Sequence, residues 1–578
     1  MIFPEALQPS ILVSTLLGTP VVDTDVLIVG GGPVGLSLAI ELGLQQRRAI
    51  VVERRERVGG GAPRAKTTNV RSREFLRRWG IADRLAAASP FGVDYPSNIV
   101  FATRLGGREL ARFANAFYCA PGRDDRFAEH AQWIPQYKVE EVLRAKAASL
   151  PGIELQFSTE LVDWTDREDA IAARVVNSGA EGGAATHTIR ARYLVGADGA
   201  RSLVRERLGI RMQGRSPLSH HHNIIFRSPG LSARHALGPA VMYWLVNAEV
   251  PAVVAPLDVD DRWTFGAPKL GERDADPAGL IRSALGIDGV AVDIQSRDEW
   301  TAHQLIADRY RDGVAGRVFL AGDACHLHPP FGGHGMNMGI GDAVDLGWKL
   351  GAVLNGWGGP ALLDSYEIER RPVHRRVVDE AVVNLRYSSH QLVLDGIEDA
   401  GRAGDAARDA AAAQILATKK REFDSLGVVL GTAYGPSPVL SDEARPPGDY
   451  DSSAFVPSAR AGSRAPHAWL GEGTAAGASL FDRFARNGFT LLATTRGDAV
   501  DAHCARIRAA AAEADVPLEV LSLPRADLAA LYGAPLALIR PDQHVAWRGE
   551  DADAACAMVR KAAGRAPAGA AHTQEALS

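Results

Sequence analysis

Cysteine is scarce in this sequence, and the residues that are present lie far apart. The four are Cys119, Cys325, Cys504 and Cys556, and no two of them have C-x-x-C spacing. Structural zinc sites and disulfide frameworks need clustered cysteines, so the pattern favours neither, and we predict no metal site. Isolated thiols are typical of a reducing compartment, so we predict that the protein is cytoplasmic.

An excess of positive charge and a long apolar segment are also missing. The formal net charge is -5 and the sequence pI is about 6.4, so no broad basic field attracts nucleic acid. The uncharged run from Val26 to Ile40 is shorter than a membrane span and rich in glycine, so we predict no membrane span. In residues 1–22, Glu5 and two prolines replace the basic start of a secretory signal, so we interpret this stretch as a leader.

The length of the chain and one change in its composition indicate several domains. A chain of 578 residues exceeds what one hydrophobic core usually organises, so two or three domains are expected. From about Gly435 to Pro466 the sequence is rich in Pro, Gly, Ser and Asp, which is typical of a linker. Beyond it, strand patterns alternate with helix patterns, which predicts a small separate α/β domain.

A glycine-rich motif lies in the first part of the chain. Residues 22–57 have the pattern of a strand, a turn, a helix and a second strand, and Gly30-x-Gly32-x-x-Gly35 opens the helix. In that context the glycines permit a tight turn, close approach of a pyrophosphate and helix–strand packing, with the phosphates at the helix N-terminus. Glu53 ends the second strand and can bind both ribose hydroxyls, whereas it would repel a 2′-phosphate. The predicted nucleotide is therefore FAD or NAD.

Three further motifs follow this dinucleotide fingerprint. They are YLVGADGARSLVR (193–205), RVFLAGDA with PPFGGHGMN (317–337), and LDSYEIERRP (363–372). In this combination and order, the sequence from about Asp25 to Pro372 resembles the class A flavoprotein aromatic hydroxylases, the FAD-dependent monooxygenases similar to phenol hydroxylase and p-hydroxybenzoate hydroxylase.

The resemblance implies a particular α/β fold. It consists of a Rossmann-like FAD-binding domain of the glutathione-reductase type, an inserted and mostly antiparallel β-sheet domain for the substrate, and a C-terminal thioredoxin-like α/β domain. The predicted segments are a leader at 1–22, an FAD-binding domain at 23–85, 136–212 and 300–400, a substrate-binding domain at 86–135 and 213–299, a helical segment and linker at 401–465, and the thioredoxin-like domain at 466–570. Because the last domain lacks C-x-x-C, we assign it to stability or subunit contact in a homodimer, and we expect its removal to spare the flavin chemistry.

Several residues are candidates for binding FAD. Asp323 follows a buried strand, so it can accept hydrogen bonds from ribityl hydroxyls at the edge where α/β sheets bind ligands. Backbone N–H groups near Met336 and Asn337, at the start of a helix, would stabilise negative charge on the reduced flavin. The full predicted set is Gly30, Gly32, Pro33, Val34, Gly35, Glu53, Arg54, Arg64, Gln136, Asp198, Gly322, Asp323, Pro330, Gly333, Gly335, Met336 and Asn337.

The resemblance also implies the reaction. NADH or NADPH reduces FAD, O2 is captured as a flavin C4a-hydroperoxide, and a phenol-like ring is hydroxylated. The candidate catalytic residues are Lys66, Pro330 and His334. Lys66 replaces an acidic or imidazole side chain of related phenol hydroxylases, so it could hold a phenolate or carboxylate, or it could be a solvated lysine or a flavin-phosphate contact. His334 could lend positive charge beside the flavin.

Two other reactions or roles stay open at this point. One is a polyketide-tailoring hydroxylase or Baeyer–Villiger monooxygenase with the same fold, and the other is a flavin-binding sensor or scaffold without turnover. On the predicted substrate sheet, Tyr243 and Trp244 are neighbours, so strand alternation places only one of them towards the substrate. Core packing is the alternative role for either ring.

Overall fold

The structure is a computed structural model that describes residues 21–56, 65–167, 169–179, 183–313, 316–444, 451–471 and 477–565. Within these residues the chain forms 21 β-strands and 13 α-helices. The strands are β1 (Val21–Val29), β2 (Ala49–Val52), β3 (Thr67–Thr68), β4 (Ile99–Ala102), β5 (Glu109–Phe113), β6 (Gln132–Trp133), β7 (Ile153–Gln156), β8 (Thr159–Asp166), β9 (Ile171–Asn177), β10 (Ala185–Gly196), β11 (Met212–Arg227), β12 (Met242–Leu245), β13 (Ala252–Asp258), β14 (Arg262–Pro268), β15 (Asp293–Ala307), β16 (Val318–Leu320), β17 (His326–Leu327), β18 (Phe489–Ala493), β19 (Leu518–Ser522), β20 (Leu536–Ile539) and β21 (Val545–Gly549). The helices are α1 (Pro33–Leu44), α2 (Val70–Arg78), α3 (Ala82–Ala87), α4 (Gln136–Ala148), α5 (Leu203–Arg207), α6 (Pro277–Leu285), α7 (Gly335–Leu354), α8 (Pro360–Leu385), α9 (Gly401–Phe423), α10 (Leu426–Val429), α11 (Asp498–Glu513), α12 (Ala526–Tyr532) and α13 (Ala552–Ala562).

The first sheet has seven strands and a parallel centre. Its order is β7-β2-β1-β10-β9-β8, with β16 paired to β10. Strands β7, β2, β1, β10 and β16 run parallel, whereas β9 and β8 are antiparallel. The apolar runs VLIV of β1 and AIVV of β2 are fully buried, as expected for parallel strands covered on both faces. The parallel arrangement brings the carboxyl ends of β1 and β16 to the same edge of the sheet.

The second sheet has eight strands. Seven of them, β4, β5 and β11–β15, come from chain segments inserted between strands of the first sheet. The order of the second sheet is β17-β15-β11-β14-β13-β12-β4-β5, and of these neighbours β12 and β4 run parallel. Tyr243 packs in the apolar cluster on one face of this sheet, and Trp244 packs in the cluster on the other. This is the alternation that the sequence predicted.

Two long helices, α8 and α9, follow the first two sheets. Helix α8 contains Pro372 in its interior, where the ring removes one intrahelical hydrogen bond. Helix α9 contains an Ala-rich segment. Among the described residues, no helix combines the length and the apolar content needed to cross a bilayer.

The C-terminal part contains a four-stranded sheet of order β19-β18-β20-β21. Strands β18 and β19 run parallel, and the other neighbours are antiparallel. Helices α11 and α13 pack against each other on this sheet.

One face of this C-terminal sheet packs mainly on residues of its own part, whereas the other face shares an apolar cluster with α7 and α8. The rings of Trp348, in α7, and Trp357 pack edge-on against Phe489 at centroid distances of 6.2 and 5.9 Å. Arg464, in the predicted linker, is buried and forms an ion pair with Glu74 of α2. The Pro-, Gly- and Ser-rich composition that predicts a linker is a local property of the sequence. These contacts instead join residues that are far apart in the chain. They bind the C-terminal part to the rest of the chain, and its separability stays a prediction that deletion can test.

Charged residues of the C-terminal part are also buried against the first. Residues 540–544, the 540–544 turn, connect β20 to β21, and Arg540 in this turn is 1% exposed. Its guanidinium donates to Glu369 of α8 at 2.8 Å, to Asp345 of α7 at 2.9 Å and to Asp542 at 2.6 Å. Lys349 bridges Asp345 and Glu369 at 2.8 and 2.7 Å. An ionic cluster thus joins the two parts of the protein in the interior.

Candidate active site

The fingerprint turn, residues 30–35, connects β1 to α1 in a conformation that requires glycine. Gly30 has φ +112°, and a Cβ there would lie 2.3 Å from the carbonyl oxygen of Ala197. A Cβ on Gly35 would lie 2.0 Å from the carbonyl oxygen of Gly30. Gly32 instead meets nothing within 4 Å, so the space before its backbone is open to a ligand. This combination of packed glycines and one open glycine fits the approach of a pyrophosphate.

Glu53 lies at the end of β2 and is held by the backbone of the fingerprint turn. Gly31 donates its N–H to one carboxylate oxygen at 2.8 Å, and Arg55 donates its N–H and Nε to the other at 3.0 and 2.9 Å. Burial alone would raise the pKa of Glu53, but these hydrogen bonds outweigh it and keep the pKa below its usual value. Arg54 is exposed, and Arg64 lies outside the described residues.

Two other predicted cofactor residues have protein partners. Asp198, after β10, accepts the backbone N–H of Val204 at 3.1 Å and so caps the start of α5. Gln136, at the start of α4, accepts the N–H of Ala65 at 3.2 Å and donates to Glu140 at 2.8 Å. Both side chains thus hold turns in place. A cofactor could contact them only through hydrogen-bonding capacity that these protein partners leave unused.

The GD turn, residues 321–324, follows β16 and contacts the fingerprint turn. Gly322 has φ +65°, and a Cβ there would lie 2.8 Å from a methyl group of Val34. A Cβ on Gly339 of α7 would lie 2.5 Å from the same methyl group. Val34 therefore packs between the GD turn and α7, which brings three distant motifs together. Asp323 is half-buried in this turn, at the carboxyl end of β16.

Helix α7 begins beside the GD turn with free backbone donors. Its first intrahelical hydrogen bond runs from the N–H of Met338 to the carbonyl of His334 at 2.8 Å. The N–H groups of Gly335, Met336 and Asn337 therefore have no partner within the helix. Together with the helix dipole they make this end favourable for negative charge.

The side chain of Asn337 clamps the start of α7 to β3. Its amide nitrogen donates to the carbonyls of Thr67 and Gly333 at 2.9 and 2.7 Å, and its oxygen accepts the N–H of Asn69 at 2.9 Å. The sequence pattern indicates a role for the backbone of Asn337 but carries no signal for this role of its amide. The clamp places Lys66, which precedes Thr67, near the start of the helix.

Lys66 and His334 differ in pKa from a surface lysine and histidine. Burial lowers the pKa of Lys66 to about 8 and that of His334 to about 4. Burial thus favours the neutral form of His334 at pH 7, and its role beside the flavin stays a prediction. It lines a cavity of about 70 Å³ that Arg71 and Asp542 also line. Pro330, the third candidate, is exposed.

Beneath the GD turn lies a buried network that the sequence did not reveal. Asp342 of α7 accepts the N–H of Gly322 at 3.0 Å and hydrogen bonds from His326, Arg370 and His374 at 3.0, 2.8 and 2.7 Å. The potential ligand atoms of Cys325, His326, Asp342 and His374 lie within 4.8 Å of one another. Because the guanidinium of Arg370 already binds the carboxylate, this arrangement fits a hydrogen-bonded support for the GD turn better than a metal centre.

Aromatic side chains cover the face of the second sheet that meets the 329–334 turn, the segment before α7. The rings of Trp244 and Phe331 are 5.9 Å apart, and Trp244 stacks on Phe101 at 5.3 Å. We call this group the aromatic wall; its members are Phe101, Phe113, Phe117, Trp244, Phe331 and Phe423. Phe101, Trp244 and Phe423 are buried, whereas Phe113 and Phe331 are partly exposed.

Comparison with known proteins identifies the family. The profile described as FAD binding domain matches residues 23–381, and that described as aromatic-ring hydroxylase, C-terminal, matches residues 458–566. The chain is 36% identical to the aklavinone 12-hydroxylase DnrF of Streptomyces peucetius over 461 residues, which are 78% of this chain and 87% of the relative. It is 33% identical to the tetracenomycin B2 monooxygenase-dioxygenase of Streptomyces olivaceus over 556 residues, which are 92% of this chain and 96% of the relative.

A solved structure agrees with these relatives. That of the rebeccamycin biosynthetic enzyme RebC with reduced flavin has a TM-score of 0.84 and 35% identity, and the match covers 94% of this chain and 100% of that one. The chain therefore belongs to the FAD-dependent aromatic-ring hydroxylases. It has their mixed α/β fold and is an FAD-dependent monooxygenase of aromatic compounds. The resemblance, the cofactor and the class of reaction predicted from the sequence are confirmed.

Proposed function

We propose that FAD lies along the edge of the first sheet, from the fingerprint turn to the start of α7, in a Rossmann-like domain of the glutathione-reductase type. The observation that carries this proposal is the packing of Val34 between Gly322 and Gly339, which joins the turns expected at the two ends of the cofactor. Glu53 would bind the adenosine ribose, Gly32 would admit the pyrophosphate, and Asp323 would accept from the ribityl chain.

The protein and the cofactor would divide the chemistry between them. Bound FAD supplies the activation of O2 and the transfer of one oxygen atom to the ring, with reducing equivalents from NADH or NADPH. The N–H groups at the start of α7 would stabilise negative charge on the reduced flavin. Asn337 would hold that helix end against β3, and Lys66 would orient an anionic phenol or contact the flavin. No second nucleotide fingerprint is apparent in the sequence, which supports transient binding of the nicotinamide.

We infer that the substrate is a polycyclic aromatic compound with a phenolic ring, as polyketide-tailoring enzymes use. Two observations support this choice over a small phenol. The ring of Phe331 is partly exposed beside the 329–334 turn, with the other rings of the aromatic wall packed behind it. Relatives at 36% and 33% identity act on aklavinone and tetracenomycin B2, whereas the phenol 2-monooxygenase of Pseudomonas sp. is 31% identical. The substrate would lie between this wall and the start of α7.

The domain boundaries given by the sequence are part of the proposal. The FAD-binding domain would comprise 23–85, 136–212 and 300–400, and the substrate domain 86–135 and 213–299. The strand order β19-β18-β20-β21 supports a thioredoxin-like domain, which would act as a brace because the 540–544 turn is buried against α7 and α8. A homodimer stays a prediction, which size-exclusion chromatography with light scattering can test.

The experiment is a substrate screen with product analysis. Purified protein is mixed with NADH or NADPH and with phenol or aklavinone, and NAD(P)H oxidation, peroxide release and the gain of an oxygen atom are measured. We expect aklavinone to stimulate oxidation and to be hydroxylated with little peroxide. Hydroxylation of phenol alone would contradict the polycyclic substrate. Bound FAD without stimulation by any aromatic compound would favour a sensor or scaffold.

A further inference from the structure

Two opposite charges are buried in the aromatic cluster without any role in the chemistry described so far. Lys419 and Glu422 lie one turn apart on α9, are 0% and 2% exposed, and form an ion pair. Removing both charges from water is costly, and apolar residues of similar volume would often serve the fold equally well. A buried pair in such surroundings therefore calls for a further explanation.

Lys419 contacts the aromatic wall. Its ammonium lies 4.0 Å from the ring centroid of Trp244, 5.8 Å from that of Phe331 and 5.5 Å from that of Phe423. A cation over several ring faces is attracted by their quadrupoles. The contact therefore fixes Trp244, on β12, relative to Phe331, on the 329–334 turn.

Glu422 lies beside the backbone of the same turn. Burial raises the pKa of its carboxyl, and Lys419 and the nearby N–H of Gly332, itself a buried residue, offset part of that rise. Gly332 and Gly333 have φ +95° and +67°, so this stretch depends on glycine and has no Cβ atoms with which to pack. Its position must be set by groups outside the turn, and Glu422 is one such group.

We propose that Lys419 and Glu422 are positioning residues of the monooxygenase site. Glu422 holds Gly332 and thereby the segment that leads into α7, while Lys419 balances its charge and packs on buried Trp244, which holds the partly exposed ring of Phe331 in place for the substrate. This inference rests on the proposed function for the location of FAD and substrate. It goes beyond the proposed function because it says that α9 sets the position of the 329–334 turn, although α9 belongs to neither the fingerprint turn nor the GD turn.

Two double variants separate the hydrogen bond from the charge. Lys419→Met with Glu422→Gln removes both charges but keeps an oxygen that can accept from Gly332. Lys419→Met with Glu422→Met removes both charges and the acceptor. Lys420→Met, at a neighbouring exposed lysine, is the matched control. Thermal unfolding of all three checks that they fold.

Hydrogen exchange of the apoprotein is the first measurement, because it needs neither cofactor nor substrate. We expect the Gly332 amide to exchange about tenfold faster in the Met/Met variant than in the Met/Gln variant, as loss of one hydrogen bond implies. In the FAD-loaded proteins, the Met/Met variant should also release more peroxide per NADPH consumed with aklavinone, and its visible circular dichroism should change.

The outcomes distinguish this inference from the proposed function. Equal exchange of Gly332 in the two variants would overturn it, as would faster exchange with unchanged flavin dichroism and peroxide release. If the wild-type protein bound no FAD at the proposed edge, the proposed function would fail, and the exchange experiment would still decide whether Glu422 holds the turn.

Discussion

Replacing Arg540 by methionine would test the ionic cluster that joins the C-terminal part to α7 and α8. In the wild type, the carboxylates of Asp345, Glu369 and Asp542 share the cations of Arg540 and Lys349. Methionine keeps most of the apolar stem but leaves three buried carboxyl groups with one lysine, and burial already raises the pKa of one of them, Asp345, to about 7. The variant therefore loses charge compensation rather than volume.

The magnitude follows from the burial of both partners. Breaking a fully buried ion pair by removing one partner costs roughly 3–5 kcal/mol, so we expect the free energy of unfolding at pH 7 to fall by about this amount. Burial raises the pKa of Glu369, but Arg540 and Lys349 outweigh it and lower that pKa to about 2. A carboxyl with a depressed pKa stabilises the fold above its unfolded pKa of about 4.5, and this contribution is lost as the pH falls towards 2. The deficit of the variant should therefore shrink over that range.

Urea unfolding followed by tryptophan fluorescence measures this difference. The control is Arg548→Met, because Arg548 pairs with Glu443 at 2.7 Å in a partly exposed site, where such a pair is worth about 0–1 kcal/mol. A free energy of unfolding for Arg540→Met within about 1 kcal/mol of the wild type would refute the reasoning. It would mean that neighbouring groups or water compensate the carboxylates.

Three further predictions concern the cofactor, the substrate and the C-terminal part. Asp323→Ala should raise the Kd for FAD by about tenfold to a hundredfold, since a hydrogen bond to a charged group is worth about 1.5–3 kcal/mol, and an unchanged Kd would exclude this contact. Lys66→Met should lower the product formed per NADPH below about pH 8 and match the wild type above it, where the lysine, with its pKa of about 8, is neutral; a deficit independent of pH would exclude a role of its charge. Deletion from Pro466 onward should give aggregated or flavin-poor protein, because it exposes Trp348 and removes Arg540, one of the two cations paired with Glu369, and a yield of soluble yellow protein would contradict this.

The nucleotide-binding elements could be predicted because their signals are local. A tight turn after a buried strand needs glycine at Gly30, and a helix that starts close to that strand needs glycine at Gly35. Both requirements are visible within one short stretch of sequence. The GD turn also has a local glycine signal. Only the resemblance to a known family indicated that the two turns lie together, because no local pattern contains that information.

The interior ion pairs could not be predicted, because burial is not a local property. Arg540 lies on the short turn between β20 and β21, where a charged residue is normally solvated, and its partners are on α7 and α8. Lys419 and Glu422 have the spacing of an ordinary exposed pair on an Ala-rich helix. Only packing of α9 against the aromatic wall shows that both are inside the protein.

Burial also decides which groups supply positive potential at the 329–334 turn. The sequence contains two histidines there, His328 and His334, and either could be an imidazolium in water. Burial lowers their pKa values to about 3 and about 4, so both are neutral at pH 7. Other sources among the described residues are the N–H groups at the start of α7, which do not titrate, the ammonium of Lys419, which is paired with Glu422, and Lys66, whose pKa is about 8. Stabilisation of a reduced flavin by the helix should thus be constant from pH 6 to pH 9, and pH dependence of coupling in this range should disappear in Lys66→Met.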